Sequence, residues 1–246
     1  MSLHPTNEEI QDKSTLTSAS LASLLLAIAF GVVCALIVLP TGIPIFVQSS
    51  IGANPKAYWY LSRGAAFVAL GLLWVSMMLG LLITNKIARS WPGTPAAFAI
   101  HEYVSLLGLA FALFHALILM GDRYINYTLV QILLPFGSVN YHPFWVGVGQ
   151  IGLYTWAIIS ATFYIRKGIG QKAWKIIHYA SFFNFMIAII HGLASGTDTT
   201  LLWAQGIYWF LGGSFLLLTV YRIVSSLHPQ KTTSVQQKVS TPPQVR

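Results

Sequence analysis

The stretch "HEYVSLLGLAFALFHALILMGDRYI" (101–125) opens on His101, holds His115 14 residues later, and carries no charge between Glu102 and Asp122. A second stretch, "WKIIHYASFFNFMIAIIHGLASGTD" (174–198), has the same design, with His178 and His191 13 residues apart. A helix needs about 20 apolar residues to cross the hydrocarbon core of a bilayer, and both stretches meet that length. Ionisable groups inside a membrane are expensive and point to function. Two histidines in each of two spans therefore decide the reading: a helical membrane bundle organised around imidazole.

The rest of the composition agrees. The 246 residues are 55% hydrophobic and only 8% charged, with a mean hydropathy of +0.66, whereas a soluble domain carries about 25% charged residues. The fold class expected is all-α, a polytopic membrane protein with six transmembrane helices in one bundle, at 18–39, 60–84, 97–121, 144–165, 175–196 and 201–224. Residues 1–16 read as a cytoplasmic N-terminal tail, 17–225 as the membrane domain and 226–246 as a disordered cytoplasmic tail rich in polar residues and proline. Glu8, Glu9 and Asp12 precede the first apolar run, so it reads as a retained helix and not a cleaved leader.

The net charge of +8 is a matter of topology. With both termini on one side, that side holds Lys13, Lys86, Arg89, Arg166, Lys167, Lys172, Lys175, Arg222, Lys231, Lys238 and Arg246, against Lys56, Arg63 and Arg123 opposite, or 11 against 3. Lysine and arginine collect on the cytoplasmic side, which places both termini inside, in the cell membrane of a bacterium, with lipid as the surrounding partner and no nucleic acid. Cys34 is the single cysteine, so neither a disulfide framework nor a cysteine metal site is available. Pro135, Gly137 and Pro143 break any helix through 122–143, a segment expected to lie along the outer membrane surface or fold over the bundle. No glycine-rich phosphate loop follows a strand, so no flavin or nicotinamide domain is evident in this chain.

Imidazole is a suitable axial ligand for haem iron, and bundles build such sites from facing helices. One span separates the two histidine helices, so they run parallel and their histidines meet at two depths: His101 with His178 near the cytoplasmic face, His115 with His191 near the outer face. At 1.5 Å rise per residue, the two tiers lie roughly 20 Å apart. Fourteen residues return to within about 40° of one helix face, but thirteen miss by about 140°. Tilt, a kink or approach from different flanks must reconcile the second helix. Packing or hydrogen-bonding histidines are the plainer alternative for each residue taken singly.

The sequence resembles the ferric reductase-like transmembrane domain family, which includes ferric reductases, NADPH oxidases and the haem-binding subunit of bacterial methionine sulfoxide reductase. The likeness rests on "YWYLSRGAAFVALGLLWVSMMLGLL" (58–82) and the two stretches above, and covers about 58–222. It implies two b-type haems held by His101, His115, His178 and His191 as axial ligands to the haem irons. It also implies transmembrane electron transfer from a cytoplasmic donor to an outer acceptor such as ferric ion. Without domains for flavin or nicotinamide, the donor is expected to be a separate cytoplasmic reductase or a quinone, and the acceptor a metal ion or a periplasmic protein. One alternative is a haem-binding subunit that hands quinone- or flavin-derived electrons to a periplasmic reductase. An alternative of another class is a small solute or proton transporter using intramembrane histidines, although the discontinuous helices and repeats of such proteins are not evident.

Other residues invite specific expectations. Arg63, just inside the outer end of its span, needs an anion, and a haem propionate suits its planar fork; snorkelling to headgroups is the alternative. Asp122 and Asp198 each follow an outer histidine by seven residues, so both are candidates to ring the outer mouth and attract a metal cation. Helix-end hydrogen bonding, or pairing with Arg123, competes with that reading. Glu102 points to the cytoplasmic interface or to a ligand imidazole, and Trp174 and Lys175 mark the interface or flank the inner haem.

Overall fold

A computed structural model describes residues 57–122 and 124–227, together with Leu26, Ala29 and Val33. The expected span at 18–39, the N-terminal tail, the C-terminal tail from 228 on, Cys34, Lys56 and Arg123 lie outside that set, those three isolated residues apart, while Ser226 and Leu227, expected in the tail, end the last helix. The elements are α1 (Ala57–Thr84), α2 (Thr94–Ile118), a short α3 (Leu129–Leu133), α4 (Pro143–Tyr164), a one-turn α5 (Arg166–Ile169), α6 (Gln171–Ser195) and α7 (Leu202–Leu227), with two 3₁₀ turns at Ile87–Arg89 and Leu119–Gly121. No strand occurs among the described residues. Five helices, α1, α2, α4, α6 and α7, are long and apolar enough to cross a membrane.

Local chemistry sets the ends. Pro95 in the first turn of α2 and Pro143 at the start of α4 occupy positions where a missing N–H is harmless. Gly93 supplies the left-handed backbone (φ 98°) that turns the chain into α2. The five-residue α3 is held by a capping box, with Thr128 and Gln131 each satisfying the other's backbone N–H.

The helices pack as two hairpins, α1 with α2 and α4 with α6, and α7 lies against α1. Leu73 and Met77 of α1, Leu109 of α2, Trp156 of α4, Phe185 of α6 and Phe215 of α7 interlock in the buried centre. Gly108 admits the Trp156 indole, since a Cβ there would come within 2.7 Å of the ring. Trp74 Nε1–H donates to Ser214 Oγ at 2.8 Å, tying α1 to α7. The two histidine helices, α2 and α6, are not among the closely packed pairs.

Basic residues divide by end. Lys86, Arg89, Arg166, Lys167, Lys172, Lys175 and Arg222 gather at or beside one end of the bundle, and Arg63 lies toward the other. At that second end the α2–α4 segment folds over the bundle. Its anchor is Gln150, a buried amide on α4, whose Nε2–H₂ donates to the Gln131 and Ile132 carbonyls, both at 2.7 Å, while its Oε1 accepts from Phe136 N–H at 3.0 Å. Tyr154 O–H donates to the Leu133 carbonyl, and Tyr141 O–H donates to the Ser195 carbonyl at 2.7 Å. Burial raises the Tyr127 and Tyr141 phenols above their ordinary value, so both remain O–H groups at neutral pH.

Replacing Gln150 with leucine strands three backbone groups at once. Each buried group left without a partner costs about 1–3 kcal/mol. Gln150→Leu should therefore release the cover, seen as faster protease nicking within 124–142 while the helices remain intact.

Candidate functional site

The four intramembrane histidines form two pairs. His101 of α2 faces His178 of α6 with ring centroids 6.2 Å apart, and His115 faces His191 at 6.3 Å, both at an interplanar angle of 72°. An imidazole nitrogen lies roughly 1.2 Å from its ring centre and bonds a metal at about 2.0 Å, so a linear N–metal–N bridge separates two centroids by roughly 6.4 Å. Both pairs stand at that separation.

Three of the four rings are tethered through Nδ1. His101 Nδ1 lies 2.9 Å from the Ser76 carbonyl, His115 Nδ1 2.9 Å from the Ser62 carbonyl, and His191 Nδ1 2.8 Å from the Trp145 carbonyl. A carbonyl only accepts, so Nδ1 carries the proton and Nε2 of the neutral ring keeps its lone pair. Metal-binding histidines are oriented in this way. His178 is held differently, stacked on Trp174 of its own helix with centroids 5.2 Å apart at 28°.

The awkward 13-residue interval on α6 is met by these different supports. His191 reaches sideways to the α4 backbone, where Gly149 leaves room; a Cβ at that position would come within 2.5 Å of the His191 ring. His178 instead stays over Trp174, one turn earlier. The two rings leave α6 on different flanks of a single continuous helix.

An apolar cavity surrounds the second pair, walled by Ser62, His115, Trp156, Asn184, His191 and Tyr208 and covered by Ile125, Tyr127 and Tyr141 of the α2–α4 segment. Asn184 Oδ1 and Ser195 Oγ, both in its lining, are buried without a hydrogen-bond partner among the described residues, as is Trp174 Nε1 beside the first pair. Unpartnered polar atoms of this kind call for a group that the described residues do not supply.

Arg63, for which a haem propionate or the headgroups were the expected partners, pairs within the described residues with Asp198. Its Nε–H donates to Asp198 Oδ2 at 2.8 Å and its Nη2 donates to Oδ1, a bidentate ion pair between α1 and the α6–α7 turn, with the guanidinium over the Tyr60 ring. Asp198 is buried, and Arg63 supplies the opposite charge beside it. Asp122 is also engaged internally: its Oδ1 accepts from Tyr124 N–H at 3.0 Å and Ile125 N–H at 2.9 Å, capping the turn after α2. These two carboxylates therefore serve a helix link and a turn. Glu102 is buried and accepts from Tyr164 O–H at 3.0 Å.

Sequence reasoning passed over Ser62 and Ser76. The signal was present: they too are 14 residues apart, matching His101 and His115 on the adjoining antiparallel helix. No group of three or more His, Cys, Asp or Glu side chains suited to a metal ion occurs among the described residues. No family model, curated protein or solved structure matches the chain.

The Arg63–Asp198 pair yields a double-mutant test. Breaking a buried pair from one side costs about 3–5 kcal/mol and an exposed one about 0–1. With side-chain exposures of 29% and 10%, Arg63→Met should lie between, at about 1–3 kcal/mol. Arg63→Met with Asp198→Leu should recover most of that loss in thermal unfolding, because no charge is then left stranded.

Proposed function

We propose that this chain is a membrane haem protein that carries electrons across the bilayer, a reading that agrees with its resemblance to the ferric reductase-like transmembrane family. Two histidine pairs, each at the spacing of a bridged metal and each beside unpartnered buried polar atoms, carry the proposal. A site with two protein ligands suits an ion that brings its remaining ligands with it, as haem iron does. Bound haem supplies a one-electron iron couple at each tier.

His101 and His178 hold the inner group, and His115 and His191 the outer one. The histidines set the ligand field and the apolar walls keep water away, which are the means by which a protein tunes such a couple. The basic end is cytoplasmic by the distribution of lysine and arginine, and residues 18–39 supply a sixth span. Electrons enter at the inner tier from a separate reductase or a quinone. They leave at the covered end toward a ferric ion or a periplasmic protein.

The protein purified from haem-replete cells should show a reduced-minus-oxidised b-type spectrum with two haems per chain. His101→Ala and His178→Ala should each remove one and the same haem, and His115→Ala and His191→Ala the other. A colourless preparation would refute the proposal.

A further inference from the structure

We propose that Ser62 and Ser76 are positioning residues, each clasping one α2 histidine so that its Nδ1 edge is pinned to α1 and its Nε2 edge is presented to α6. The inference deepens the haem reading and rests on it.

The two clasps share a register. In an antiparallel helix pair, opposed residue numbers have a constant sum, and Ser62 with His115 and Ser76 with His101 both sum to 177. Each serine is almost fully buried, at 2% and 5% exposure.

The hydrogen bonds close into cycles. At the outer clasp Ser62 Oγ–H donates to the His115 carbonyl at 2.9 Å, which leaves Oγ free to accept from His115 Nδ1–H at 2.8 Å, alongside the Ser62 carbonyl at 2.9 Å. At the inner clasp two serines share the task. Ser76 Oγ lies 3.2 Å from His101 Nδ1 and 2.5 Å from Ser105 Oγ, and Ser105 Oγ–H donates to the His101 carbonyl at 2.6 Å. Ser76 thus accepts from the imidazole and donates to Ser105, and every proton has a destination. The extra serine stands one turn after His101; the same place after His115 is Leu119, so Ser62 makes both contacts alone.

These are not the usual habits of a hydroxyl in an apolar helix. Serine and threonine there turn back to the carbonyl four residues earlier, as Thr84, Thr155 and Ser214 do toward Gly80, Ile151 and Phe210. Ser62 and Ser76 instead reach across to another helix, and both reach a histidine. Among the described residues the α6 histidines have no such serine: His191 uses the Trp145 carbonyl and His178 the Trp174 ring. The α1–α2 hairpin is therefore the fixed half of both sites.

Outer partners of metal-bound histidines orient the ring and raise its basicity, and losing one costs about 10–100-fold in affinity. In the full-length purified protein, Ser62→Ala should weaken retention of the His115/His191 haem by about that factor. It should also raise the midpoint potential of that haem, because a less basic ligand favours ferric iron less. Ser76→Ala should do the same only to the His101/His178 haem. Ser62→Thr and Ser76→Thr keep the hydroxyl and should restore each value, whereas Ser62→Cys, a weaker hydrogen-bonding group of similar size, should shift the potential even if alanine prevents folding.

Wild-type protein with two haems, and serine variants that leave both potentials unchanged or move both together, would overturn the clasps while leaving the histidine pairs standing. Wild-type protein without haem would overturn the underlying reading instead, and the clasps with it.

Discussion

The hydrogen bond between a histidine Nδ1–H and a helix carbonyl organises this bundle. An imidazole in an apolar interior has two polar edges to satisfy, and an unpaired one is costly. Anchoring Nδ1 to a neighbouring helix settles one edge and aims the other across the bundle. Three histidines are settled in this way, at Ser62, Ser76 and Trp145. The register of α1 on α2 and the absence of a side chain at Gly149 follow from the need to bring those carbonyls within reach.

The same constraint explains why α2 and α6 stand apart. The helices pack through α1 and α4, and the two histidine helices meet through their rings, 6.2 and 6.3 Å apart. A bundle selected only for close packing would close that space. Here the space around the second pair is walled by apolar side chains with a few unpartnered polar atoms among them, and it has a cover held by Gln150. The two ends also differ: one gathers the basic residues, while the other is roofed by Tyr127, Tyr141 and the segment between them. A cavity roofed by this segment and tied to α4 by hydrogen bonds would suit the proposed haem.

Much of this was legible in the chain. Charge-free runs located the five described spanning helices, because the bilayer's thickness dictates their length, and the parallel course of α2 and α6 follows from one intervening span. What was not legible depended on side chains from distant segments. Arg63 and Asp198 are 135 residues apart, and nothing local marks them as partners. For Asp122 the sequence left cation attraction, helix-end hydrogen bonding and pairing with Arg123 open, and the two N–H groups it accepts from are fixed only once the backbone bends. Gly149 has no local signal of its role, which appears only when His191 arrives beside it. Ser62 and Ser76 could have been found by matching their interval to that of the α2 histidines.

The 72° crossing of the rings in both pairs gives the account its most direct test. If the proposed haems are held by these pairs, imidazoles crossed this steeply would leave two iron d orbitals almost equal in energy, whereas parallel rings would split them. Low-temperature electron paramagnetic resonance of the oxidised, purified protein reads this difference. Strongly anisotropic low-spin ferric signals, one from each histidine pair, are the expected result. Ordinary rhombic low-spin signals from parallel rings, or high-spin iron lacking a second imidazole, would contradict the paired and crossed histidines on which the account rests.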